Sequence, residues 1–452
     1  MESAVFHREQ HKCYDSIVRG DGIFLEDANG RRYIDATSCA GVVSIGHGVT
    51  EISQSLADAG NNVTFVYSAN FTHPWQEELA SQILKLAPDS MSSAYFVSGG
   101  SEANETAWKL ARQYHIERGK PSKYKAIARW QSYHGVTLGA LSLSGRRSWR
   151  EPYAPMLIPV PHIMPPYCYR CPVGKSPDSC QRECVDDLER TILLEGPDTV
   201  ACFFAEPISG SSLSAVTPPE DYFQRVREIC DRYDVLFVAD EILTGIGRTG
   251  KPFAISHWEI EPDIITMGKA IASGYASLGA VLITENIRTA FREGSGHFVH
   301  GLTYSGNPFS CFMGLKVNEI MHRDGLFERP ERLGRHLFGK LRDLQQKHCV
   351  IGDVRGRGLL AGIEFVRDRT TREPFPHEFG LTQQIVTNMR DQGIVITPGI
   401  AGANYGAGGD HIQICPPFVI TEDQLDQIVG VLSDVLSKIE AELSSSGRSS
   451  SW

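Results

Sequence analysis

The sequence predicts an α/β fold, with a large domain on a mostly parallel central sheet and a smaller α+β domain after it. Three observations carry that reading. Between residues 95 and 284, short β-branched and aromatic runs alternate with helical patterns. Those runs are apolar throughout rather than alternately polar, as strands covered on both faces by helices must be. After about residue 310 the pattern turns to long amphipathic helices with few strands, and a length of 452 residues exceeds one ordinary core.

The predicted strands are "AYFVS" (94–98), "KAIARW" (125–130), "VACFFAEP" (200–207), "VLFVADE" (235–241), "DIITMGK" (263–269) and "GAVLIT" (279–284). In "PPEDYFQRVREICDRYD" the apolar residues Tyr222, Phe223, Val226, Ile229, Cys230 and Tyr233 recur at helical spacing after a proline-rich start. Near the C-terminus, Thr421 begins a capping box with Gln424, ahead of a stripe of Leu425, Ile428, Leu432, Val435 and Ile439. Residues 1–70 are read as a segment packing with the small domain, 71–310 as the large domain, 311–443 as the small one, and 444–452, "SSSGRSSSW", as a disordered tail.

A formal net charge of -10 argues against nucleic acid as the main partner, because phosphate binding needs a basic surface. No stretch reaches the ~18 apolar residues of a membrane span, and the opening "MESAVFHREQHKC" is too polar for a secretory signal. The expectation is a soluble, cytoplasmic chain. Most of its eleven cysteines stand singly in apolar surroundings, as Cys202 and Cys230 do, which suits buried thiols in a reducing compartment. Cys168, Cys171, Cys180 and Cys184 differ: CxxC followed by CxxxC could hold zinc, or could be a packed or surface excursion. No metal is assigned to the reacting centre.

Three pieces at the carboxyl ends of predicted strands carry chemistry, since open α/β sheets bind ligands there. In "FVSGGSEANETAWKLARQY" a strand ends at Val97 and a helix opens near Ser101, making an anion site or merely a capped helix start. In "DVLFVADEILTGIGRTG", Asp240 closes an apolar strand, and a buried carboxylate is costly unless paired. In "DIITMGKAIASGY", Lys269 stands among small residues, so its ammonium is paired, deprotonated or covalently used. A simple Asp240–Lys269 ion pair is the bland explanation. Pyridoxal 5'-phosphate needs all three features in one crevice: a phosphate cradle, an acid for its ring nitrogen and an amine for its aldehyde.

The stretch "FVADEILTGIGRTGKPFAISHWEIEPDIITMGKAIASGYASLGAVLIT" resembles the signature of the class III aminotransferases, pyridoxal phosphate enzymes of fold type I. The likeness runs from "ANGRRYIDATSCAGVVSIGHG" to "GGDHIQICPPFVIT". It implies that Lys269 forms an imine with the cofactor and shuttles the proton, while Asp240 pairs with the ring nitrogen. It further implies Ile242 and Tyr133 on the two ring faces, Gly100 and Ser101 at the phosphate, and Glu206 near the ring hydroxyl or the substrate. Thr303 would reach the phosphate of a partner subunit, so the active unit would be a homodimer handling small amines, amino acids and carbonyl compounds. His47 and His134, in glycine-flanked turns, are read as hydrogen-bonding backbone, and Arg355 and Arg357 receive no chemistry.

One departure stands out. Many family members carry an arginine just before the "GDH" stretch to clamp a carboxylate; here that position is Gly406, and no arginine lies between Arg390 and Arg448. Either another basic residue substitutes or the substrate lacks an acid group there. Lys269 and Asp240 serve transamination, epimerisation, elimination and decarboxylation alike. Aminotransfer is the reading preferred, with a racemase, lyase or decarboxylase of the same fold, or a silent binding relative, as alternatives.

Overall fold

Each apolar run between residues 94 and 284 becomes a strand in the computed structural model, which describes residues 3–176, 178–399 and 408–445. Three strands precede that region: β1 (Ile17–Asp21), β2 (Phe24–Asp27) and β3 (Arg32–Asp35). The large sheet uses β4 (Met91–Val97), β5 (Lys125–Arg129), β6 (His162–Ile163), β7 (Val200–Ala205), β8 (Leu236–Asp240), β9 (Ile264–Met267) and β10 (Gly279–Thr284). The last part supplies β11 (Ile351–Arg357), β12 (Leu360–Phe365), β13 (Ile394–Val395), β14 (Thr397–Pro398) and β15 (Asp410–Ile414).

The central sheet has the order β4-β10-β9-β8-β7-β5-β6. From β9 through β6 neighbouring strands are parallel. β10 departs from the expected parallel pattern and runs antiparallel to both β4 and β9. The apolar run cannot announce this, because burial on both faces reads the same in either direction. Every residue of β7, β8 and β9 is buried.

The helix Gly100–Glu117 lies on this sheet through Ala103, Ala107 and Ala111, whose small side chains let the backbones approach. The expected helix is Tyr222–Arg232; it buries Tyr222, Phe223, Val226, Ile229 and Cys230, while Tyr233 caps it and is half-buried. Phe223 stacks on Phe237 of β8, tying that helix to the sheet.

A second sheet, β11-β12-β15-β14, is antiparallel throughout. The meander β1-β2-β3 continues into β13, which pairs parallel with β3, so the N-terminal segment hydrogen-bonds to the C-terminal part of the chain. The capping box forms: Gln424 N–H donates to Thr421 Oγ1 at 3.3 Å and Thr421 N–H to Gln424 Oε1 at 2.9 Å. The helix it opens runs Glu422–Ser445, so Ser444 and Ser445, expected in the tail, are helical. The rest of that tail and the Gly406 position lie outside the described residues. Among the described residues no helix is long and apolar enough to cross a membrane.

Candidate active site

Strand register assembles the site. β7 pairs Ala205 with Ala239 of β8, so Glu206 arrives level with Asp240. β8 pairs Asp240 with Thr266 of β9, so Lys269 stands three residues beyond, in the turn that ends β9. That turn is strained: Lys269 has φ +47° and Ser273 φ +48°, in the left-handed region that side-chain-bearing residues avoid. These ends open onto a cavity of about 680 Å³ lined by Gly100, Ser101, Tyr133, Glu206, Asp240, Ile242 and Lys269. Of the residues expected from the sequence, Thr303 alone is not brought there. It is exposed, in a turn ahead of the helix Pro308–Arg323, and that helix is capped by Asn307, not by Thr303.

Asp240 is buried and encircled by donors. Asn104 Nδ2 donates to its Oδ2 at 2.8 Å, His134 Nδ1 to the same oxygen at 2.7 Å, and the Ile242 N–H to Oδ1 at 3.1 Å. Thr266 donates to Asn104 Oδ1 at 2.8 Å, which fixes the amide so that its nitrogen faces Asp240. A carboxylate accepts only, so this ring of donors holds it in one orientation. Lys269 Nζ makes no ion pair or hydrogen bond among the described residues, so the bland Asp240–Lys269 pair is absent. Burial lowers its pKa, against the opposing pull of Asp240, Cys415 and Glu206. Burial raises that of Glu206, which accepts from Gly210 N–H at 3.0 Å and Tyr133 N–H at 3.3 Å.

The helix Gly100–Glu117 starts at the cavity wall, and its first amides have no intrahelical acceptor. A Cβ on Gly100 would come within 2.8 Å of Ile242 Cδ1, so glycine leaves the helix start bare. Ser101 Oγ accepts from Val136 N–H at 3.1 Å, fastening this start to the loop that carries Tyr133. Bare amides, a held carboxylate and a poorly solvated amine in one cavity fit pyridoxal phosphate group by group.

The family profile "Aminotransferase class-III" matches residues 5–436. The chain belongs to the class III aminotransferases. An uncharacterized aminotransferase, YodT, of Bacillus subtilis (strain 168) is 37% identical across 98% of this chain and 99% of its own. Gamma aminobutyrate transaminase 3 of Solanum lycopersicum is 32% identical across 94% and 81%. Among solved structures, a transaminase from the marine bacterium Virgibacillus superposes with a TM-score of 0.90, at 33% identity over 96% of this chain and 95% of that one. A pyridoxal phosphate-bound amine transaminase from an uncultivated Pseudomonas species also gives 0.90, at 31% identity over 97% and 99%. This aminotransferase therefore has fold type I and depends on pyridoxal phosphate.

Sequence reasoning missed two residues of the aminotransferase's site. His134 was expected to bond backbone, yet its ring holds Asp240; Asn104, near the start of the helix Gly100–Glu117, was not singled out at all. A buried amide on the small-residue face of the helix was the available signal. His47 likewise bonds a side chain, Asp35 Oδ2, at 3.0 Å. Arg355, left without chemistry, is structural: it donates to the Leu213 and Ser214 carbonyls and pairs with Asp353 and Glu364. Zinc bound by thiolates needs sulfurs about 3.8 Å apart, from a Zn–S bond of about 2.3 Å. Among the described residues three metal-ligating atoms gather within 4.8 Å only at Asp35, Cys39 and His47, not in the 168–184 loop. There Asp35 is already satisfied by Thr37, Cys39 and His47 donors, an internal brace.

Proposed function

We propose that this aminotransferase works as a homodimer in the cytoplasm. It carries an amino group from a small amine or amino acid to a keto acid, ketone or aldehyde in two stages, the first product leaving before the acceptor binds. The carrying observation is that Glu206, Asp240 and Lys269 end three adjacent strands beside a bare helix start. The eleven free cysteines suit a reducing compartment.

Pyridoxal phosphate in this cavity supplies an electron sink that acidifies the carbon bearing the amino group. Gly100 and Ser101, at the helix start, would hold its phosphate, and Ile242 and Tyr133, which line the same cavity, would pack against its ring. Asp240, fixed by Asn104 and His134, would keep a proton on the ring nitrogen. Lys269 Nζ, which burial biases toward the neutral form, would hold the cofactor at its aldehyde carbon with loss of water, and would serve as the base toward the substrate carbon once a donor amine has taken its place. Glu206 would orient the ring hydroxyl side or the substrate. Thr303, exposed on this chain, would reach the phosphate held by a second copy.

The test is a donor panel on the pyridoxal phosphate-loaded protein. Donors should shift the visible absorbance of the bound cofactor to the near ultraviolet, and pyruvate should restore it while becoming alanine. If no donor shifts the spectrum while an amino acid loses optical purity, the chain is an epimerase instead.

A further inference from the structure

The loop after Tyr133 delivers a cation into the cavity that the family resemblance leaves without a task. Gly145 is pressed against the end of β5: a Cβ there would lie 2.3 Å from the Arg129 carbonyl oxygen and 2.5 Å from the Gln131 nitrogen. Its N–H donates to Ser132 Oγ at 3.1 Å, and its carbonyl accepts from Gln131 N–H at 3.0 Å. The next residue, Arg146, is thus held in place, only 6% exposed and lining the same cavity as Lys269.

A guanidinium so buried normally faces a carboxylate. This one does not. Among the described residues its hydrogen-bond partner is a neutral hydroxyl, Ser211 Oγ, at 2.9 Å, and Nε has none. Two aromatic rings flank it, with the guanidinium carbon 4.8 Å from the Tyr133 ring centre and 4.9 Å from that of Trp149, and the Glu206 carboxylate acts on it through space without forming an ion pair. Burial lowers its pKa to about 10, Glu206 opposing, so it stays charged at neutral pH. The other guanidinium lining the cavity, Arg8, is exposed and lies over the outer Trp149 ring at 5.2 Å. Gln413, 3% exposed and on the same wall, also leaves its Oε1 without a donor. The two rings stand at 88° to each other and form a corner that confines the guanidinium, while its unpartnered Nε leaves an N–H edge for a planar acid.

We propose that Arg146 anchors an acid group, carboxylate or sulfonate, on the amine donors and carbonyl acceptors of this enzyme, in place of the arginine absent at position 406. The inference rests on the aminotransfer reading. It makes the physiological substrates amino acids or aminosulfonates rather than simple amines.

The test compares the holoenzyme with Arg146→Gln and Arg146→Lys. Non-reacting propanoate and methanesulfonate are titrated against the absorbance of the bound cofactor, a readout that needs no turnover. Donor conversion is then followed with L-alanine, β-alanine, 2-aminoethanesulfonate and propylamine. Arg146→Gln should weaken acid binding about 30-fold or more, the loss expected of a charge-assisted pair of hydrogen bonds. It should raise KM for the acidic donors more than it changes kcat, while the effect on propylamine stays within a few-fold. Arg146→Lys should restore part of the loss. Preference between propanoate and methanesulfonate tells which acid the pocket takes. Unchanged acid binding in Arg146→Gln overturns the proposal. So does an equal fall for acidic donors and propylamine accompanied by loss of cofactor, because that marks a purely structural arginine. Acid binding lost in Arg146→Gln while no donor converts the wild-type cofactor would overturn the aminotransfer reading and leave the anion site standing.

Discussion

His134 and Asn104 share one oxygen of Asp240; His134 lines the cavity as Lys269 does, whereas Asn104 is not among its lining residues. Replacing His134 by phenylalanine keeps the ring volume and its edge contact with Phe204 but removes the 2.7 Å hydrogen bond. A hydrogen bond to a charged group contributes about 1.5–3 kcal/mol. If that whole loss falls on cofactor binding, the cofactor should dissociate roughly 10- to 150-fold more readily. Absorbance titration with pyridoxal phosphate measures this, and unchanged affinity would show that Asn104 alone suffices to hold the acid. At this scale the sequence was legible where chemistry demands an unusual residue in an apolar run: Asp240 and Lys269 stand out because water is missing around them. It was illegible where the partner is an ordinary residue far away in sequence. Asn104 meets Asp240 only through the packing of a helix on a strand end, and His134 only through the loop that follows β5; Arg146 shows its want of a counter-charge only once the chain is folded.

The elements follow from local patterns more directly. The capping box at Thr421 and Gln424 and the stripe of Tyr222, Phe223, Val226, Ile229 and Cys230 were readable because each depends on residues within a few positions. The direction of β10 was not, since it depends on a connection rather than on composition. The turn after β8 yields a pH prediction. Glu241 is fully buried and accepts from Ile255 N–H at 2.7 Å and from Thr244, and burial raises its pKa from 4.5 to about 7. The folded state thus binds more protons than the unfolded one between those values, so stability falls as pH rises through that window. Glu241→Gln should flatten the pH dependence and gain on the order of 3 kcal/mol over wild type in going from pH 4 to pH 8. Denaturant midpoints across that range measure it; parallel curves for the two proteins would mean Glu241 is ionised in its pocket throughout.

Across the whole molecule, one exposed threonine separates a single-chain account from a two-chain one. Thr303 is exposed and does not line its own chain's cavity, so it belongs to the site only if a second copy brings it there. Light scattering should give about twice the 49.9 kDa chain mass. Thr303→Ala should lower cofactor affinity, and mixing it with Lys269→Ala should recover wild-type affinity in the mixed dimers, because one of their two sites is then complete. A monomer, or no recovery on mixing, would confine the site to one chain. The sequence carried the family and its fold at this scale because the signature is long and ordered, while the homodimer is expected from resemblance alone: a surface residue carries no mark of its partner.

The central claim is that Lys269 holds the cofactor covalently, and borohydride reduction of the pyridoxal phosphate-loaded protein tests it most directly. Peptide mass mapping should find the phosphopyridoxyl group fixed on Lys269. A peptide containing Lys269 without that mass, or the label on another lysine, would contradict the account.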